Sequence, residues 1–400
     1  MRHGDYGADG ETVGICGAVH PVIIETINQD IRSTGVLSLK RNRKILAITG
    51  IILAVILLAF AGYAAYVMLT YYRLPDKLTL EVNKSGGEED FIGDFQVQTG
   101  EKYTVMTYNI GFGAYREDYS FFMDGGKHSW AKDADSVLAG VSAMGGIVSG
   151  VNPEFIMLQE VDRDGTRSYH VDELEVLNRF ISGYYYDYAQ NYDSPFLLFP
   201  PWQPHGTNKA GIITYSRGEI RETMRRSFPI SESFSKFVDL DRCYSISRVP
   251  MTDGRYLCLY NVHLSAYGSN DEIREGQLSM LFEDMTADYG AGNYVICGGD
   301  FNHNVKTDVV KNVPEWAYPF PREKLPEGFH MAIDFAGAAE DIAHDTCRSA
   351  DMPYKEGETF TITLDGFIVS DNVAVSDYRN MDCGYAYSDH DPVVMGFVLK

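Results

Sequence analysis

Four hundred residues with 45% hydrophobic and 22% charged side chains fall in the globular range and can bury a sizeable core. The formal charge of −22 is concentrated after Arg73, where 27 basic residues face 51 acidic ones, and that balance opposes nonspecific capture of nucleic acid by counterion release. Six cysteines, at 16, 243, 258, 297, 347 and 383, form no CxxC pair and no zinc-like Cys/His spacing, which excludes a disulfide framework and leaves open one pair among Cys243, Cys347 and Cys383.

Residues 1–39 show no sustained periodicity and read as a weakly structured tail. The basic cluster Lys40, Arg41, Arg43, Lys44 precedes an uncharged run from Ile45 to Tyr72, long enough to cross a hydrocarbon core of roughly 30 Å. Positive charge before the span places residues 1–44 in the cytoplasm and all that follows Tyr72 outside, so a single-pass anchor in the cell membrane is expected at 45–72. Residues 73–101, with the turn cluster SGGEED, read as a linker with one short strand. From 102 to 400 short apolar runs recur: YTVMTYNI, FIMLQEV, GIITYS, YLCLYNVHL, NYVICGGDF, TLDGFIVS and PVVMGFVL. Each is bounded by turn residues and reads as a strand, and helix-like stretches at 133–149, 171–182 and 271–288 lie between them. Strands interleaved with helices indicate a layered α/β domain.

Polar, metal-capable residues end several of these strands: Asn109, Glu160, His263, Asp300 with Asn302, Asp365, and Asp389 with His390. Burying that many polar groups without partners is costly, and a shared hydrated site for metal and phosphate explains them together. Phosphodiester hydrolysis needs a hard cation, an activated water and charge stabilisation on the leaving side. Glu160 suits a primary Mg²⁺ ligand, Asp300 and Asn302 a water and a phosphate oxygen, and Asp365 can orient His390 for acid–base chemistry near neutral pH.

The motifs TYNIGFG, LQEVD, NVHLSAYG, GGDFN, LDGFIVS and SDHDPV, in that order, resemble the endonuclease/exonuclease/phosphatase superfamily over residues 102–400. The resemblance implies a four-layered α/β sandwich, two packed mixed sheets flanked by helices, with the site at one end. It also implies Asn109, Glu160 and Asp389 at the metal, His263 beside the phosphate, Asp300 with Asn302 at the nucleophilic water, and Asp365 with His390 as the acid–base pair. Mg²⁺, with Mn²⁺ as a substitute, is the implied cofactor, and the catalytic domain is expected to be monomeric.

Arg167, His170, Asn208, Lys209 and Arg248 are further candidates for contacting substrate phosphate, set against a reading as ordinary loop residues. The expected activity is hydrolysis of a phosphoester in nucleic acid, a phospholipid head group or an inositol phosphate. Fold and metal site do not choose among these. Two alternatives stand beside a general phosphodiesterase: a sphingomyelinase-like phospholipid phosphodiesterase, for which the aromatic stretch 184–202 is a candidate apolar lip set against the favoured reading of that stretch as a packed core strand plus loop, and a noncatalytic surface-binding module on the same fold.

Overall fold

A computed structural model of the chain describes residues 21–91, 95–237, 239–265, 271–306 and 317–400. They form two units that divide between Tyr66 and Val67. The helix α1 (Pro21–Thr70) makes up the described part of the first unit and runs on into the second. By length and composition it can cross a membrane. Proline is well suited to a first helical turn because its missing N–H would be unpaired there. Residues 21–39 are thus helical rather than irregular; Ile23, Ile27 and Ile31 recur every four residues, a helical spacing diluted by intervening polar residues. Residues 1–20 lie outside the described residues.

The second unit opens with β1 (Val82–Ser85) and β2 (Lys102–Asn109), followed by α2 (Ala134–Val151), β3 (Phe155–Gly165) and α3 (Glu173–Leu177). Next come β4 (Tyr184–Asp193), β5 (Asn208–Ser216), β6 (Glu222–Ser227), β7 (Cys243–Pro250) and β8 (Tyr256–His263). Then follow α4 (Asp271–Gly290), β9 (Tyr294–Asp300), β10 (Phe329–Met331), β11 (Cys347–Arg348) and β12 (Thr361–Ile362). The last strands are β13 (Asp365–Ser370), β14 (Val373–Asn380) and β15 (Val393–Leu399). One sheet has the order β1-β4-β5-β3-β2-β15-β14, a second β10-β13-β9-β8-β7-β6, and β11 pairs with β12. Both large sheets are mixed, since β2–β3 and β8–β9 are parallel and their other pairings antiparallel.

The sheets pack face to face over Val105, Phe155, Met157, Leu257, Leu259, Ile296 and Phe367. Alternate residues of the first sheet point the other way: Met106, Tyr108, Ile156 and Leu158 cover α2 through Val137, Val141 and Met144. Both faces of β2 and β3 are therefore buried, which is why these strands read as near-continuous apolar runs. The start of α2 is fixed by a capping box, in which Asp133 accepts from Ser136 N at 2.7 Å and Ser136 Oγ accepts from Asp133 N at 3.1 Å. With α4 against the second sheet, the architecture is the expected four-layered α/β sandwich.

Residues 73–101 depart from the expected linker. Tyr71 donates to Asp241 Oδ1 at 2.7 Å, Leu78 bridges Arg225, β1 extends the first sheet and Val97 bridges Met251. The stretch is integrated into the second unit by backbone pairing that polar composition does not reveal. The helix expected over 171–182 is confined to Glu173–Leu177. Cys243, Cys258, Cys297, Cys347 and Cys383 are free thiols.

Candidate active site

Pairing register brings the strand ends together. His263 pairs with Asp300 across β8–β9, Asp365 pairs with Asp300 across β13–β9, and Asn109 pairs with Gln159 across β2–β3. Asn109 joins the two sheets by donating through Nδ2 to Asp300 Oδ2 at 3.0 Å and to Glu160 Oε1 at 3.3 Å. Glu160 sits in a bulge between Leu158 and Val161 with φ +56°, a backbone state that non-glycine residues seldom occupy outside functional positions. At Gly299, φ is +145° and an added Cβ would stand 2.0 Å from the Val262 carbonyl oxygen, so the end of β9 requires glycine there.

Around Asp300 Oδ2 stand Asn109 Nδ2, His263 Nε2 at 3.6 Å and His390 Nε2 at 3.7 Å. Asp300 Oδ1 accepts from the Asn302 backbone N–H at 2.8 Å, and Asn302 Nδ2 donates to the Leu264 carbonyl at 2.8 Å. His390 Nδ1 donates to Asp365 Oδ2 at 2.7 Å, and the same oxygen accepts from Thr346 Oγ1 at 2.7 Å. Ser388 fastens the SDHDPV loop by donating to the Asn109 carbonyl at 2.8 Å and accepting from His390 N at 3.2 Å. All of these side chains except Glu160 and Asp389 are buried.

Burial, with Asp365 adding to it and His390 opposing, pushes the Asp300 carboxyl up to about 7. Burial works against a charged His390, yet Asp365, Cys347 and Asp300 outweigh it and hold that imidazole well above its ordinary range. His263 is held well below the ordinary range, by burial first and then by Arg242, His390 and Arg167. The two histidines thus stand on either side of Asp300 in opposite charge states. Burial, with Glu160 adding to it, pushes Asp389 up to about 6.

Among the described residues, Asp300, Asp365 and His390 present metal-competent atoms within 4.8 Å of one another. This is the set read as the water and acid–base group rather than the set read as the metal ligands. Asn109 presents its amide N–H groups, not its carbonyl, to Glu160, while its Oδ1 accepts from Gly111 N at 3.0 Å. In this orientation its amide donates to two carboxylates at once.

The further candidates mostly have structural partners. Arg167 is buried, bonds Asp162 through Nε at 3.1 Å and Nη2 at 2.7 Å, and lies 3.9 Å over the Phe112 ring. Asn208 is buried, accepting from Arg167 N and donating to the His205 carbonyl, both at 3.1 Å. Arg248 is paired bidentately with Asp288 of α4 and faces Cys258, five residues before His263, or about 17 Å along the strand. His170 is exposed against Asp164 at 2.6 Å, and Lys209 is exposed at the start of β5. Thr346 and Arg242 lie outside every motif, and Ser388, though it opens SDHDPV, carried no expected role; Arg242 is a buried cation that donates to the Leu264 carbonyl at 2.8 Å. Their partners lie 19 to 279 residues away in the chain, beyond the reach of local patterning.

The Endonuclease/Exonuclease/phosphatase family model matches residues 106–390. No curated protein matches the chain significantly. Among solved structures, an endonuclease/exonuclease/phosphatase from Beutenbergia cavernae is 17% identical, with a TM-score of 0.54 over 74% of this chain and 72% of that one. Truncated TDP2 from Caenorhabditis elegans is 20% identical, with a TM-score of 0.45 over 75% of this chain and 98% of that one. TDP2 from D. rerio, complexed with single strand DNA product, is 16% identical, with a TM-score of 0.49 over 74% of this chain and 98% of that one. At such identities the first of these likenesses supports the fold alone, whereas the family match spans the strand-end residues from Asn109 to His390. The chain belongs to the endonuclease/exonuclease/phosphatase family and is a hydrolase of phosphoester bonds.

Proposed function

We propose that the chain is a membrane-anchored, extracytoplasmic phosphodiesterase that works with Mg²⁺, or Mn²⁺ in its place. The observation that carries the reading is the set of donors around Asp300 Oδ2, with His263 Nε2 at 3.6 Å, His390 Nε2 at 3.7 Å and Asn109 Nδ2 at 3.0 Å. Asp300, with its carboxyl pushed up to about 7, is basic enough to take a proton from water near neutral pH. The water oxygen bonds to phosphorus, its proton passes to Asp300, and the P–O bond to the leaving group breaks. His390, kept protonated by Asp365, and neutral His263 donate to the phosphoryl oxygens as negative charge grows there. Asn302 fixes the Asp300 rotamer through its backbone N–H.

Glu160 and Asp389 would hold the cation. Two neighbouring carboxylates, one of them raised to about 6 by burial and by the other, are a setting that a hard divalent ion relieves. When bound, such an ion polarises the phosphoryl group and neutralises charge on the leaving oxygen. The anchored topology is supported by the length and composition of α1 and by the basic cluster ahead of its apolar run.

Two experiments test this. Chelation should abolish hydrolysis of bis(p-nitrophenyl) phosphate by the detergent-solubilised full chain, and added Mg²⁺ should restore it; turnover that survives chelation sinks the metal reading. Protease added to intact cells should remove the domain after Tyr72, and protection of that domain would reverse the topology.

A further inference from the structure

The rim that carries the site also carries two loops of another kind. Ser227 pairs with Cys243, and Tyr244 with Val262 beside His263, so the β6–β7 connection, 228–242, lies at the catalytic end of the sandwich. Gly165, at the end of β3, pairs with Asn208, at the start of β5, so the β4–β5 connection, 194–207, lies at the same end.

The chain enters this unit there as well. Tyr71 donates to Asp241 Oδ1 at 2.7 Å, and Arg73 donates to the Phe228 carbonyl and lies 3.8 Å from Asp241. The next residue, Arg242, donates to the carbonyl of Leu264, which follows His263. The apolar run of the anchor, which ends at Tyr72, is therefore one short connection from the catalytic rim.

Apolar exposure concentrates on this rim. Met123, Phe196, Leu198, Phe199 and Trp202 are 58, 40, 49, 65 and 67% exposed. Beyond Tyr72, only Leu138, Phe180 and Phe335 join them as exposed large hydrophobics among the described residues. The β2–α2 connection, which follows Asn109 and carries Met123, and the 194–207 connection, which carries the other four, form one patch: Phe122 and Phe199 have ring centroids 5.7 Å apart, Phe199 and Trp202 6.3 Å, and Trp202 Nε1 donates to the Lys127 carbonyl at 3.4 Å. Inward, Phe122 meets Phe121 and Phe121 meets Phe112, which flanks the turn after Asn109.

We infer that this aromatic lip inserts into the interface of the bilayer that α1 crosses and holds the catalytic rim against it, so that the substrate is a phosphodiester of a membrane lipid. The inference rests on the anchored reading above. An apolar patch at the same end of the sandwich as the membrane entry has a bilayer within reach at high effective concentration. Trp and Phe are side chains that gain by lying at the headgroup level. The −24 charge after Arg73 gives no attraction to anionic lipid, so insertion of apolar side chains is what supplies the contact.

The chain has three tryptophans and none in α1, which makes Trp202 a usable reporter. In phosphatidylcholine nanodiscs holding the full chain, lipid brominated near the acyl-chain carbonyls should quench tryptophan fluorescence, and Trp202→Phe should remove most of that quenching. Equal quenching in the two proteins, or none in the wild type, overturns the inference and points to a protein partner on the lip. The double variant Phe199→Ser/Trp202→Ser should lose about tenfold in hydrolysis of a hexadecyl p-nitrophenyl phosphodiester embedded in the disc while keeping its rate on soluble bis(p-nitrophenyl) phosphate. Equal losses on both substrates also overturn it. A wild type inactive on both substrates counts against the proposed phosphodiesterase, and quenching then decides the lip by itself.

Discussion

Asp187 offers the most quantitative test of how the sandwich is built. It lies on β4, fully buried between the sheets, where Ser247 of β7 donates to its Oδ2 and Oδ1 finds no partner among the described residues. Burial, partly offset by that hydrogen bond, pushes its carboxyl from 3.8 to about 7. The folded protein therefore binds this proton more tightly than the unfolded chain. The resulting penalty is fully present above pH 7, shrinks as pH falls through the window from 7 to 4, and is absent below it. A shift of about 3 units at about 1.4 kcal/mol each gives roughly 4 kcal/mol at pH 8. Asp187→Asn keeps a hydrogen-bonding partner for Ser247 and carries no charge. It should raise Tm by about 6 °C at pH 8, taking an unfolding entropy of about 0.7 kcal/mol/K for a unit of this size. The gain should vanish near pH 4. Thermal melting of wild type and variant across pH 4 to 8 measures it directly. A constant difference, or a variant less stable than wild type at pH 8, would refute the claim that an ionised Asp187 is the cost.

Other substitutions separate the machinery from its frame. Thr346→Val removes the hydroxyl that donates to Asp365 Oδ2, and should lower kcat by about tenfold and shift the alkaline limb of the pH–rate profile, where the protonated His390 is lost; Thr346→Ser should restore both. Arg167→Ala breaks a buried bidentate pair with Asp162 and should cost about 3–5 kcal/mol of stability, read as a large drop in Tm, with little change in KM if any protein survives. A stable Arg167→Ala protein with a raised KM would return that residue to substrate binding. Glu160→Gln should raise the Mg²⁺ concentration needed for half-maximal turnover by at least about tenfold, and an unchanged requirement would remove Glu160 from the cation.

The catalytic strands were legible because each pairs an apolar run with a polar residue at its end, as in YLCLYNVHL and NYVICGGDF. Burial on both faces of the central strands writes a continuous apolar signal that needs no tertiary knowledge. β14, with the exposed Ser376, Asp377 and Arg379 on its outer face, writes none. The same strand ends gather the candidate histidines and carboxylates on one rim, whereas the candidate cations carry no such signal. Arg167 and Arg248 are cations whose partners, Asp162 and Asp288, are chosen by the fold, and composition counts their charge without showing that it is already neutralised. Beyond its one short strand, the integration of 73–101 left no periodic trace because its further attachments are isolated bridges, of Leu78 to Arg225 and Val97 to Met251. The polar seam between the sheets was equally silent. Gln159 Nε2 donates to Asn261 Oδ1 at 2.8 Å inside runs that read as ordinary core strands.

The central claim is that Asp300 activates water for metal-dependent phosphoester hydrolysis. Its most direct test is the single-turnover rate of the full chain against that of Asp300→Ala, on bis(p-nitrophenyl) phosphate with saturating Mg²⁺, alongside Tm for both. The rate should be at least about a thousandfold lower in the variant with Tm unchanged or higher, because the substitution removes a buried carboxyl whose charge burial disfavours. A folded variant that keeps even a tenth of the wild-type rate would contradict it.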